Sequence, residues 1–267
     1  MVGSGVETRS LCARIMCAVF FVAGSAHASP WARPEGEMLI ISRANYFQSD
    51  LTPQDPAGGM FRNADTDTYF EYGLADDIMI GGKVVYGTSW LTRDRETIID
   101  GGFSALEGYA QYQFVRNENH AASVKITAGK TAAFQSEARA QLAGDGVDIE
   151  IAALYGRDFR FGKTKLFVAA ESGYRKRFGA SSDIIRSQLT VGFEPGARWV
   201  FLVDGYSIVS LRNEDELGAD YDVLKIQPSI LYRINHRWAV QAGVAKDIST
   251  RTVSPGKSAF FSLWSAF

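Results

Sequence analysis

The chain ends on Ser258-Ala259-Phe260-Phe261-Ser262-Leu263-Trp264-Ser265-Ala266-Phe267, in which Ala259, Phe261, Leu263 and Phe267 fall on alternating positions and Ser265 is the weak member of the set. Successive side chains of a strand point to opposite faces, so this stretch reads as a β-strand with one apolar face that stops on an aromatic ring. Working back along the chain, the same period recurs. Leu224, Ile226, Ile230 and Tyr232 oppose Lys225, Gln227 and Arg233; Leu189, Val191 and Phe193 oppose Arg186, Gln188 and Thr190. Leu166, Val168, Ala170 and Tyr174 oppose Glu171, while Val147, Ile149, Ile151, Ala153 and Tyr155 oppose Asp148 and Glu150. Earlier still, Ile78, Ile80, Val84 and Tyr86 share one face and Lys83 lies on the other.

Strands are expected near residues 37–47, 68–74, 78–90, 103–114, 122–130, 147–155, 165–174, 184–193, 199–210, 222–234, 238–246 and 258–267. That is about twelve, an even number, as a bacterial membrane barrel requires. Short connections alternate with long ones. The short ones, Ala75-Asp76-Asp77, 116–120, 156–162, 194–198 and 235–237, are rich in the Asp, Asn, Gly and Pro that suit tight turns. The long ones include 48–67 and 212–220. Short periplasmic turns and longer external loops are the habit of outer-membrane barrels. The sequence therefore predicts an all-β fold, a transmembrane antiparallel β-barrel of about twelve strands.

The start of the chain supports export. Arg9 and Arg14 precede an apolar run, Ile15 to Ala26, followed by Ala26-His27-Ala28. This is the layout of a cleaved signal peptide, expected over residues 1–28, with the barrel over 29–267. The run is shorter than the roughly 20 residues a membrane-crossing helix needs. Both cysteines, Cys12 and Cys17, fall inside the signal, so no disulfide or thiolate metal site is expected beyond it. The terminal strand resembles the assembly signal of bacterial outer-membrane barrels, carried here by Phe261, Leu263 and Phe267. The cell outer membrane is the expected location. Its lipid and lipopolysaccharide, and the barrel-assembly machinery, are the expected partners, together with a small-molecule solute that no residue pattern names.

A net charge of −2, one unit more negative once Glu7, Arg9 and Arg14 leave with the signal, argues against a nucleic-acid partner. Charges recur on the strand face opposite the apolar one. A Lys or Arg facing lipid at mid-bilayer costs roughly 2–4 kcal/mol, so these charges belong in a polar lumen. The lumen-lining candidates are Arg43, Glu71, Lys83, Glu107, Lys125, Glu150, Glu171, Arg186, Asp204 and Lys225. Aromatic residues at strand ends, among them Tyr46, Tyr72, Trp90, Phe114, Trp199 and Trp238, suit interfacial girdles.

Three segments, YFEYGLADDIMIGG (69–82), IAALYGRDFRFG (151–162) and KIQPSILYRINHRWAVQAGV (225–244), combine strand, tight turn and returning strand with glycine near the junction. They resemble hairpins of the meta-pathway phenol-degradation family of outer-membrane proteins. That resemblance implies a channel for small, often hydrophobic or aromatic molecules, and it transfers no functional residue.

Catalysis finds no support. His27 leaves with the signal, and His120 and His236 fall in periplasmic turns, far from an external active site where a histidine base would have to sit. Gly156 to Thr164 departs from a phosphate loop, with five residues between its glycines and a strand after it. Asp76-Asp77 and Asp148/Glu150 lack metal-ligand spacing. No catalytic residue, metal or cofactor is expected. Three readings stand: a passive channel for small solutes, a structural or surface-interaction barrel with a plugged lumen, and a soluble periplasmic β-sandwich.

Overall fold

The computed structural model describes residues 29–51, 58–93, 96–130, 147–178, 181–213 and 220–267. Residues 1–28, where the signal peptide is expected, lie outside it. The described chain forms twelve strands: β1 (Met38–Asp50), β2 (Met60–Ala75), β3 (Ile78–Arg93), β4 (Glu96–Arg116), β5 (His120–Lys130), β6 (Asp148–Phe161), β7 (Thr164–Lys176), β8 (Ile184–Glu194), β9 (Trp199–Ser210), β10 (Asp222–Arg233), β11 (Trp238–Arg251) and β12 (Gly256–Ala266). Each pairs antiparallel with its sequence neighbours, and β12 pairs with β1 from Leu39↔Ala266 to Ser49↔Gly256, closing a barrel. Closure leaves no strand edge to satisfy, which is what a backbone needs in hydrocarbon. It also removes the β-sandwich reading, which requires two separate sheets.

Burial follows the period of two, inverted relative to a soluble barrel. Phe261 is 54 % exposed and points outward while its neighbour Ser262 is fully buried within; Ile151 is 57 % exposed beside Glu150 at 3 %. Apolar side chains cover the outside and polar ones fill the inside, a pattern that only a lipid surround solvates well. Aromatic contacts occur toward both ends: at the short turns Trp199 lies tilted against Tyr232 at 4.7 Å and Trp238 meets Phe267 at 6.3 Å, and toward the loops Tyr86 meets Phe103 at 5.3 Å.

Several strands run further than their alternation indicates. Residues 156–161, expected in a turn, continue β6, and the turn shrinks to Gly162-Lys163, with Gly162 at φ 63°. β2 begins at Met60, well inside the stretch read as a loop, because neither Arg62, Ala64 and Thr66 nor Asn63, Asp65 and Asp67 make an apolar face. β3 and β4 likewise extend past Trp90 and ahead of Phe103; among the described residues, 96–105 of β4 pair only with β3. Such a ribbon satisfies its own hydrogen bonds outside lipid, so nothing there selects for alternation. Pro228 lies within β10, where a missing N–H would normally break a ladder. The β10–β11 register passes from Ile226↔Lys246 to Ser229↔Gly243, so no bond to β11 is needed at Pro228.

Candidate functional site: the barrel lumen

The strand period delivers polar side chains from every direction into one narrow interior. Arg43, Glu71, Lys83, Glu150, Asp204 and Lys225 are buried there, and Glu107, Lys125, Glu171 and Arg186 are partly so. The interior brings most of them into pairs. Lys125 binds Glu171 at 2.6 Å, Lys83 lies 3.6 Å from Asp67 and Lys225 3.7 Å from Asp247. The densest cluster centres on Arg175, which donates to Glu107 at 2.7 Å and Glu150 at 2.8 Å, with Arg186 3.3 Å from Glu150 and 3.6 Å from Glu107. Since Glu107 sits on β4 and Arg175 on β7, with β5 and β6 between them in the wall, this contact crosses the interior. Arg43 donates to Ser262 at 3.2 Å and lies over the Phe260 ring. Asp204 accepts from Thr190 at 2.6 Å.

Nearer the end with the short turns, the segment before β1 folds into the barrel. Ala32 N–H donates to Gln113 Oε1 at 3.0 Å, Gln111 Nε2 to the Ser29 carbonyl at 2.9 Å, and the Ser123 hydroxyl to the Pro30 carbonyl. Arg33 binds Glu71 at 2.6 Å. These contacts seat the segment against the inner faces of β2, β4 and β5. Glycine makes the fit possible: a Cβ at Gly156 on β6 would lie 2.5 Å from side-chain atoms of Pro30 and Trp31.

Opposite this segment the inner wall is apolar. Val200, Leu202, Leu231 and Ala239 pack with Phe167 and Trp264, and Leu39 and Ile41 continue the patch onto β1. Between that wall and Trp31 lies a chamber of about 330 Å³. Ion pairs line its polar side: Arg33–Glu71, Lys165–Asp158 at 2.8 Å and Arg233–Glu194 at 2.8 Å. His236, on the exposed β10–β11 turn, borders the same chamber.

Sequence reading passed over several of these residues. Arg175 lies one position beyond the Tyr174 at which β7 was expected to end, and Asp67 fell in a stretch read as loop. Trp31 and Arg33 precede the first strand and carry no periodic signal. The apolar wall did leave a trace: Trp199-Val200-Phe201-Leu202-Val203 is apolar on both faces, unlike the strands around it.

No family model matches the sequence, and no curated protein gives a significant match. Solved structures do match. The chain is similar to the COG4313 outer membrane channel from Pseudomonas putida F1, at 11 % identity over 91 % of this chain and 100 % of that one, with a TM-score of 0.69. It is similar to the NanC porin at 6 % identity over 84 % and 98 % of the two chains, TM-score 0.55. The KdgM porin matches at 5 % identity over 86 % and 99 %, TM-score 0.53. The shared property is the fold, that of bacterial outer-membrane β-barrels.

Proposed function

We propose that this chain is an outer-membrane channel that passes small solutes passively, apolar and aromatic ones foremost, with the chamber at the turn end as the station where a solute rests. The chamber carries this reading. A barrel lumen filled with polar pairs has no need of eight apolar side chains on one inner wall, whereas an apolar solute does. A dry cavity of roughly 150 Å³ holds benzene, so a space of this size suits one or two rings. The resemblance of three hairpins to the phenol-degradation family agrees, and the channel and porin neighbours agree at the level of fold analogy. A second reading, a closed barrel whose loops do the work, is favoured by one observation, the Arg175–Glu107 contact, which bridges strands a quarter of the way round the wall through the lumen.

The two readings separate in planar-bilayer recordings of the refolded barrel, its folding verified by heat-modifiable gel migration. The channel reading expects small discrete openings. It also expects Gly156→Leu, which drives into Pro30 and Trp31, to raise unit conductance severalfold and to speed uptake of small aromatics into liposomes over sugars of similar size. Silence from both folded proteins would sink the channel reading and leave the closed barrel.

A further inference from the structure

Lys246 on β11 pairs in register with Lys257 on β12, Lys257 with Gln48 on β1, and Gln48 with Arg62 on β2. The four side chains thus form one row around the wall. They lie on the outer face, because each follows its strand's outward set: Val244 precedes Lys246, Tyr46 precedes Gln48, and Ala259 and Phe261 follow Lys257. Lys257 is ten residues from Phe267, at the turn end of β12. At about 3.3 Å per residue and a tilt near 40°, that is a height of roughly 25 Å, the full depth of the apolar band. Lys257 stands at the upper rim of the lipid-facing surface, and the row slants across that rim, from Lys246, eight residues above Trp238 at the turn end of β11, to Arg62, thirteen residues above Ala75 at the turn end of β2.

Three positive charges in one row of four, two of them adjacent and the third beyond Gln48, call for an explanation. Like charges directly opposite on neighbouring strands are destabilising, and Lys246 and Lys257 stand in that relation. In the interior, Arg33, Lys83, Lys125, Lys165, Arg175, Arg186 and Lys225 each have a carboxylate within 4 Å. Among the described residues, Arg62, Lys246 and Lys257 have no ion pair or hydrogen bond from their side chains. The buried cations are neutralised internally, whereas these three depend on a counter-ion from outside; what sets them apart from other exposed cations such as Lys130 is that they share one row. At that height on the outer surface, the first anions available are lipid headgroups.

We infer that Arg62, Lys246 and Lys257 form a binding site for the phosphate of an outer-leaflet lipid, the phosphorylated sugar headgroup of lipopolysaccharide. Adjacent strands stand 4.7–4.9 Å apart, so the two lysines converge on one phosphate, and a guanidinium two strands away reaches another oxygen of the same headgroup. Trp90 on β3 pairs with Arg62 in the same row, an aromatic at the level where indole rings favour the interface. The inference rests on the outer face being lipid-facing, which is tested separately by the detergent requirement of the folded barrel.

The experiment titrates the folded barrel, in non-ionic detergent, with lipid A of defined structure and reads bound lipid by native mass spectrometry. Bisphosphorylated lipid A is expected to bind. Lysine near an anionic lipid surface contributes about fivefold each, so the R62Q/K246Q/K257Q protein should bind roughly a hundredfold more weakly. Lys257→Gln alone, the milder change should the triple variant fail to fold, should lose about fivefold. Lys130→Gln, which alters an exposed cation of β5 outside the row, should change nothing, and dephosphorylated lipid A should bind the native chain no better than the triple variant. Equal binding of phosphorylated and dephosphorylated lipid, or undiminished binding to the folded variants, would overturn the site. Inorganic phosphate competing at concentrations as low as lipid A would reassign it to free anions and overturn the lipid.

Discussion

Glu150 shows how a single lumen side chain holds others in place. It accepts from Arg175 at 2.8 Å and lies 3.3 Å from Arg186, both also close to Glu107. Removing one partner of a buried charge pair strands the other, at a cost of about 3–5 kcal/mol. Glu150→Gln leaves the two guanidiniums with Glu107 and, 3.9 Å from Arg175, Asp148, so the unfolding free energy should fall by about 3 kcal/mol, the lower end of that range, and residual conductance should turn toward anions. Replacing Glu150 and Arg175 together by Met should recover most of the stability, because matched apolar substitution of a buried pair is close to neutral. If the single variant melts with the native protein, the cluster contributes nothing to stability.

At the scale of elements, β12 and the loop end carry separate expectations. Phe267 and Met38 exchange backbone hydrogen bonds at 2.8 and 2.9 Å, completing the seam, while the Phe267 ring is exposed on the outer face. A side chain that packs nothing inside can be lost without unfolding the barrel. Phe267→Ala should therefore refold normally in detergent yet reach the outer membrane of cells severalfold less, if Phe261, Leu263 and Phe267 act as an assembly signal. Normal cellular levels would rule that role out for Phe267. At the loop end, Asp183 ties two connections together: it accepts from Tyr174 at 2.6 Å, Arg177 N–H at 3.0 Å and Asn213 at 2.8 Å, and its own N–H donates to Asn213. Burial alone would raise its pKa, but these bonds and that from Lys176 hold it down to about 2, from an ordinary 3.8. A depressed carboxylate stabilises fully above its unfolded value and loses that contribution as pH falls through the folded one. Amide protection of Leu211 and Asp183 should hold from pH 7 to about 4 and fall toward pH 2, and Asp183→Asn should lower it at pH 7 and flatten the profile.

For the whole molecule, the determining event is the meeting of β1 and β12, which joins residues more than two hundred positions apart. Closing so long a loop is entropically costly, but the cost grows slowly with length, and every hydrogen bond of the seam is gained at once. The closed wall then turns one alternating pattern into two environments. Lipid meets the apolar face, and the polar face becomes an interior too narrow to leave its charges solvated, so they pair with each other. The apolar wall and the segment carrying Trp31 interrupt that polar filling at one end, and the outward row of Lys246, Lys257 and Arg62 interrupts the apolar coat near the other.

What the sequence by itself determined was the fold class, the order and approximate number of strands, and the face on which each alternating residue lies. A period of two written into segments such as 147–155 and 258–267 leaves each strand one choice of side, and short turns leave each one choice of neighbour. Strand ends at 60–67, 91–102 and 156–161 escaped it, because backbone pairing persists where no lipid face demands alternation. The pairing of Arg175 with Glu107, the entry of Ser29–Arg33 into the barrel, the chamber and the basic row were decided only by the tertiary structure. Each depends on which strands stand opposite or in register across the closed wall, and that geometry exists only after distant segments have met.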